Sequence, residues 1–251
     1  MDNRDFETFM RIVQTRRSCR NLKPDPLPEG AIEKILEAGR WAMSGNNGQP
    51  WEFIVVTKPE TKQALWKAYQ DMSNEYIFWM EQMRSTELRH PAYQLPGTPD
   101  EQLAAHQRVK GWANAPALIV VCGDGRKQWA TVMGAFTMGR HASHLTDGLS
   151  NACMIMHLAA RSLGLGSIWV TIHVEEEFKR ILGVPDLVKV FTIIPIGYPH
   201  AEPSTGSRIP LEEKVHYEAY DMTKYRNTRQ VLEDLANSRA RAVQRYRKTE
   251  E

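Results

Sequence analysis

Cysteine is scarce in this chain: Cys19, Cys122 and Cys153 are the only three among 251 residues. They are scattered, with no CxxC pair, which argues against a disulfide framework or a zinc site and fits a reducing compartment. An excess of charge of one sign is also missing. Lysine and arginine number 32 against 30 aspartates and glutamates, and a net charge of +2 gives no general reason to expect nucleic acid or a membrane surface as partner. Long apolar runs are lacking too. The most apolar helix candidate carries Asp147, His157 and Arg161, so no segment is expected to span a membrane. Asp2, Arg4 and Asp5 stand too early for a signal peptide. These absences lead to the expectation of a soluble, cytoplasmic protein.

What is present is an ordinary globular composition, 42% apolar and 25% charged, in a chain long enough for one or two domains with a sizeable core. Phe6, Phe9, Met10 and Val13 share one face of a helix over residues 4–15, and a basic cluster follows at its C-terminal end. Pro28 is placed to open a second helix marked by Ile32, Ile35, Leu36 and Gly39. WEFIVVT at 51–57 reads as a strand, and Pro59 starts a helix that runs to about residue 83. Pro91, Pro96, Gly97 and Pro99 break the polar stretch 84–110, which reads as a long loop or lid.

Residues 117–122 are a buried strand. A helix over 144–163 is apolar almost all round, as in a core or a subunit interface. Strands at 167–171 and 190–196 flank a helix at 175–182, and a last, arginine-rich helix covers 229–248. Alternating strands and helices predict an α+β or three-layer α/β fold. The thin apolar stripe and interspersed acids of the final helix favour a solvated or partner-embracing tail over nucleic-acid binding.

Two segments carry the chemistry. Arg16-Arg17-Ser18-Cys19-Arg20 offers three guanidinium groups and a hydroxyl, a donor set suited to a phosphate, although basic helix ends also complement the helix dipole. Ser44-Gly45-Asn46-Asn47-Gly48-Gln49-Pro50-Trp51 places backbone and amide groups on a turn before a strand, where they can face a flat polar ring. A ligand with a phosphate at one end and a hydrogen-bonding heterocycle at the other has the shape of flavin mononucleotide. His141 and His144 lie three apart without an acidic or cysteine ligand nearby, so no metal is expected; they are read as acceptor-pocket residues or as hydrogen-bonded structural ones. Tyr76, Trp79, Tyr93 and Trp112, with Met80 and Met83, give aromatic and thioether surface that either stacks on a flat acceptor or packs the lid. Gly123-Asp124-Gly125 lacks the rest of a dinucleotide fingerprint, and no GxSxG elbow is present.

The combination resembles the FMN-dependent nitroreductase family. Arg-x-Ser-x-Arg is followed by Ala42-Met43-Ser44-Gly45-Asn46-Asn47-Gly48-Gln49-Pro50-Trp51, with Met43 where the family usually has proline. The run from Ala159 to Trp169 (AARSLGLGSIW), Ile196-Gly197-Tyr198-Pro199 and Pro210-Leu211-Glu212-Glu213 extend the likeness over roughly residues 10–220.

The resemblance implies a homodimeric α+β fold of three α/β/α layers around a mainly antiparallel sheet. It implies an FMN-binding domain over 1–222, a lid insertion at about 74–112, and a basic helical tail over 223–251. Arg16, Arg17, Ser18 and Arg20 would bind the FMN phosphate and ribityl chain, and Arg208 would complete the clamp. Ser44, Gly45, Asn47 and Gln49 would line the cofactor, in part across the subunit boundary. Thr171-Ile172 would face flavin N5 through its backbone, where the family often has Gly-Gly. The implied activity is reduction of nitroaromatics, quinones or similar electron-poor acceptors by NADH or NADPH in ping-pong fashion, with no catalytic side chain and no metal. Same-fold alternatives are reductive dehalogenation, alkene reduction and flavin fragmentation, and beyond them a flavin-binding protein without turnover.

Overall fold

Strict in-and-out alternation along one central strand organises the main body of this protein. The computed structural model describes residues 3–86, 89, 93–94, 96–107, 112–127, 141–201 and 208–248, with backbone alone at 72–74, 105–107, 141–144 and 239–248. The chain divides into two compact units, one of Met1–Asn74 with Lys110–Thr205 and one of Glu75–Val109 with Gly206–Glu251.

In the first unit the sheet has the order β1 (Trp51–Val56), β2 (Ala117–Asp124), β5 (Val188–Gly197), β3 (Gly166–Ser167), and β4 (Val170–Thr171) also pairs with β5. Every ladder is antiparallel. The expected strand over 167–171 is two short pieces in one register: Gly166 faces Gly197, Ser167 faces Ile196, Val170 faces Ile193 and Thr171 faces Thr192. Thr192 Oγ1 donates to Val170 O at 2.7 Å and fastens the second piece.

Successive side chains of a strand point to opposite faces. On β2, Leu118, Val120 and Cys122 enter one apolar layer with Leu65, Ala68 and Phe178, while Ile119 and Val121 enter the other with Ile35, Leu149, Ala152 and Met156. Helices α3 (Pro59–Ala68) and α7 (Glu176–Leu182) therefore cover one face, and α2 (Ala31–Arg40) and α6 (His141–Ser162) the other. This is the three-layer α+β arrangement expected. Helix α1 (Arg4–Thr15) packs on α6.

Two local expectations change. The helix opened by Pro59 ends as an α-helix at Ala68 and passes through a π-turn, Tyr69–Asn74, before α4 (Glu75–Gln82). Within the stretch read as a loop lies α5 (Pro99–Gln107). Thr98 and Glu101 form a reciprocal capping box, with Thr98 N donating to Glu101 Oε2 at 2.8 Å and Glu101 N donating to Thr98 Oγ1 at 3.4 Å. Proline at the first helical position needs no N–H, so Pro99 starts this helix instead of breaking it.

Helix α6 is not buried all round within this chain. Leu149, Ala152, Cys153, Met156 and Ala160 are fully buried against the sheet, while Met154 on the outer side is 47% exposed. The tail helix α8 (Thr228–Lys248) exposes Val231, Leu232 and Leu235. No described helix is long and apolar enough to cross a membrane.

Truncation of Ile119, fully buried under α6, removes apolar contacts and leaves a cavity. Ile119→Ala is expected to cost about 2–5 kcal/mol, read as a lowered midpoint in chemical denaturation with an unchanged slope.

Candidate functional site

Beyond α1 the chain leaves helical geometry at Arg16 (φ −65°, ψ 125°) and lies along the edge of the sheet. Cys19 N donates to Ser167 O at 2.9 Å, Ser18 bridges Ser167 in parallel, and Lys23 N donates to Tyr198 O at 2.7 Å. The close approach depends on glycine: a Cβ on Gly166 would stand 2.9 Å from both Cβ and Sγ of Cys19 and 3.1 Å from Leu22. Cys19 and Leu22 point into the protein, whereas Ser18 and Arg20 are exposed. Ser18 and Arg20 thus turn outward on either side of the buried Cys19, while Arg16 and Arg17 are half-buried. Arg16, Arg17, Ser18 and Arg20 form a cationic track along the sheet edge.

Arg16 and Arg17 line a small depression of about 10 Å³, which they share with Thr15, Arg161 and Ser167. That space suits a water molecule. Arg161, on the last turn of α6, donates from Nε to Thr15 Oγ1 at 3.0 Å. The sequence pattern gave no reason to group Arg161 with the basic cluster, because 146 positions separate it from Thr15.

The second segment is strained in a revealing way. Asn46, Asn47 and Gln49 all have positive φ (52°, 53° and 44°), and none is glycine. Asparagine visits the left-handed region at modest cost, but three such residues within four positions store strain of order 1–3 kcal/mol each. Ser44 holds the loop, with its Oγ accepting from Gln49 N at 3.0 Å while Asn47 N donates to Ser44 O at 3.0 Å. Helix α6 supports the loop from below: Asn151 Nδ2 donates to Met43 O at 3.2 Å, and a Cβ on Gly148 would stand 3.2 Å from Ser44 Cβ. Gly45, Asn47 and Gln49 remain exposed. Gln49 is therefore held in an open, constrained loop, and Trp51 behind it is core, at 7% exposure.

The two segments rest on different parts of α6. Gly148 and Asn151 support the loop, whereas Arg161 ties to the end of α1, ten to thirteen residues further along, or about 15–20 Å of helix.

Thr171 is exposed at the end of β4, and Ile172 is half-buried. They lead into a groove of about 290 Å³ bounded also by His173, Glu175, Glu176 and Lys189. Glu175 Oε2 accepts from Val190 N at 2.7 Å and so satisfies a strand amide just past the β4 ladder.

The remaining candidates are dispersed. Trp112 belongs to the first unit and is only 5% exposed, packed edge-on against Trp66 and Tyr69 at 5.0 and 5.5 Å. Of the two roles open to it, packing and stacking on an acceptor, this burial favours packing. Tyr76, Trp79 and Tyr93 lie in the second unit, with Tyr76 and Trp79 53% and 39% exposed. Arg208 is an exposed residue of the second unit. His141 and His144 fall on the first turn of α6, where the side chains lie outside the described residues. Among the described residues, no group of three or more His, Cys, Asp or Glu is placed to hold a metal.

A residue not singled out from the sequence stands behind the first segment. His157 of α6 is buried at 2% exposure, its Nδ1 is 2.7 Å from Ser167 Oγ, and its Nε2 has no hydrogen-bond partner among the described residues. Burial, helped by the charge of Arg16, pushes its pKa down from 6.5 to about 4. The same loss of hydration pushes the buried Cys153 thiol up to about 12, so that cysteine is inert at neutral pH.

The chain is similar to known proteins over most of its length. The model of the family described as "Nitroreductase family" matches residues 13–198. An NADH dehydrogenase of Thermus thermophilus is 29% identical over 205 residues, 80% of this chain and 91% of that protein. Iodotyrosine deiodinase 1 of Rattus norvegicus is 25% identical over 207 residues, 81% of this chain and 65% of its own length. Among solved structures, oxidised iodotyrosine deiodinase bound to FMN and 3-iodo-L-tyrosine superposes with a TM-score of 0.62 at 19% identity, covering 84% of this chain and 100% of that one. That last likeness is one of fold.

The buried imidazole has a consequence for acid stability. Between pH 6.5 and about 4 the unfolded chain takes up a proton at His157 that the folded chain does not. Folding stability therefore falls as pH drops through that window, and by linkage this one group accounts for about 3 kcal/mol over the whole interval. Denaturation curves from pH 7 to 4 are expected to be less pH-dependent for His157→Leu than for the native chain.

Proposed function

The chain belongs to the nitroreductase family, and on that premise we propose that it reduces nitroaromatics, quinones or related electron-poor acceptors in a ping-pong sequence. As a member it is an oxidoreductase of the nitroreductase type, with FMN as cofactor and NADH or NADPH as reductant. The observation that carries the reading is the pairing of two built segments: a cationic track pinned flat to the sheet edge, and a left-handed polar loop held open by Ser44.

These residues suit FMN. Arg16, Arg17 and Ser18 would hold the phosphate and the adjoining ribityl hydroxyls, and Arg208 would add a further cation to the clamp. Arg20, about 13 Å along the extended segment from Arg16, would lie toward the ring, where positive charge stabilises a reduced, anionic flavin. Ser44, Gly45, Asn47 and Gln49 would present amide and backbone groups to the polar edge of a ring, and the backbone at Thr171 and Ile172 would approach N5. When bound, FMN supplies the hydride chemistry, taking reducing equivalents from the nicotinamide and giving them to the acceptor. The protein orients the ring and keeps water from it.

Homodimerisation is part of the proposal. Segments 16–20 and 44–49 sit far apart along α6 in one protomer, as expected if each copy completes the other's site. The half-exposed Met154 on the outer side of α6 supplies apolar surface for such a contact. In the same reading, residues 1–222 form the FMN-binding domain with its insertion at about 74–112, and the tail 223–251 serves contacts between protomers. Tyr76, Trp79 and Tyr93 would cover a flat acceptor. Neither a nucleic acid nor a membrane is a partner, and three buried cysteines without a disulfide fit a cytoplasmic setting. The deiodinase relatives favour one second reading, reductive removal of halogen from an aromatic ring.

Purified protein is expected to be yellow. Stopped-flow mixing with NADH or NADPH should bleach the oxidised flavin band within seconds, and a nitroaromatic or quinone added anaerobically should restore it. A band that persists would mean a flavin binder without turnover, and halide release from a halophenol would select the second reading. Arg20→Ala and Arg208→Ala are each expected to weaken FMN binding by about 1.5–3 kcal/mol, as for hydrogen bonds to charged groups; unchanged affinity in both would show the track to be misassigned.

A further inference from the structure

His157 is a costly residue where it stands. It lies in the apolar layer between α6 and the sheet, its ring 6.2 Å from that of Trp169, with one nitrogen bonded to Ser167 and the other without a partner among the described residues. Taking an imidazole out of water into an apolar layer is costly. A leucine in the same space would avoid that cost, so stability gives no reason for an imidazole here.

The single hydrogen bond that the ring makes is well placed. Ser167 is itself 3% exposed and is the residue on which segment 16–20 rests: its carbonyl accepts from Cys19 N, its backbone bridges Ser18, and on its other side it pairs with Ile196. A serine at this point can rotate its hydroxyl among several acceptors. The imidazole Nδ1, 2.7 Å away and carried by a rigid helix, removes that freedom and fixes the spacing between α6 and β3. The neutral ring suits the role, because an imidazolium would bring a second positive charge beside Arg16.

We propose that His157 is a positioning residue: through Ser167 it sets how segment 16–20 lies on the sheet edge, and thereby how tightly the flavin is held. The inference rests on the reading of that segment as the FMN track, but its mechanical half stands without any ligand.

Two measurements on the full chain separate the halves. In the ligand-free protein, hydrogen exchange at the Cys19 amide reports the bond to Ser167 directly. His157→Leu is expected to speed that exchange while leaving the chain as stable at neutral pH as the native one, or more so. Titration with FMN, followed by quenching of flavin fluorescence, is expected to show about 3- to 10-fold weaker binding for His157→Leu, the scale of one net hydrogen bond. His157→Asn, whose amide can reach the same hydroxyl, should recover most of the loss.

Ser167→Ala should weaken binding to a similar degree, and the double variant no further, since both changes break one link. Unaltered exchange at Cys19 would overturn the positioning role. Faster exchange with unaltered FMN affinity would overturn the link to the cofactor, and additive losses in the double variant would show that His157 does not act through Ser167. A native chain that binds no FMN would sink the flavin reading, while the exchange result would still decide the mechanical one.

Discussion

The hydrogen bond from the Cys19 amide to the Ser167 carbonyl is the contact on which the candidate site depends. It is where a segment from the start of the chain meets a strand formed about 150 residues later. It forms only because Gly166 has no Cβ to hold the two backbones apart. With the segment pinned there, Cys19 and Leu22 go inward, and Ser18 and Arg20 go outward. A backbone amide spent on the sheet leaves the side chains to serve a ligand.

Helix α6 is the common support. Its inner face fills the layer beneath the sheet, Gly148 and Asn151 carry the left-handed loop, and Arg161 and His157 brace the end of α1 and the edge strand. Both polar segments therefore inherit their positions from one rigid rod packed on a rigid sheet. Such a scaffold can hold three left-handed residues in an exposed loop, because the loop is fastened at Ser44 and Met43.

Much of the fold was legible in the chain. The β-branched and apolar runs at 51–57 and 117–122 mark strands, since their alternation and propensity act locally. The basic cluster and the Ser-Gly-x-Asn-x-Gln-Pro-Trp run were visible for the same reason: each is contiguous. Helix α5 was legible too, in Thr98, Pro99 and Glu101, but the prolines around it read first as breakers. The burial of Trp112 was not legible, because a tryptophan in a polar stretch carries no sign of the Trp66 and Tyr69 rings that enclose it.

What the sequence determined by itself was the set of elements, the family likeness and the residue types offered to a phosphate and a polar ring, all of which depend on neighbours a few positions apart. Only the tertiary structure decided which of those residues share a side and what stands behind them. The grouping of Arg161 with Arg16 and Arg17, the contact of Ser167 with Cys19, and the support of Met43 by Asn151 all join residues far apart in the chain. They are fixed by close packing between helix and sheet, and no local pattern of sequence encodes that distance.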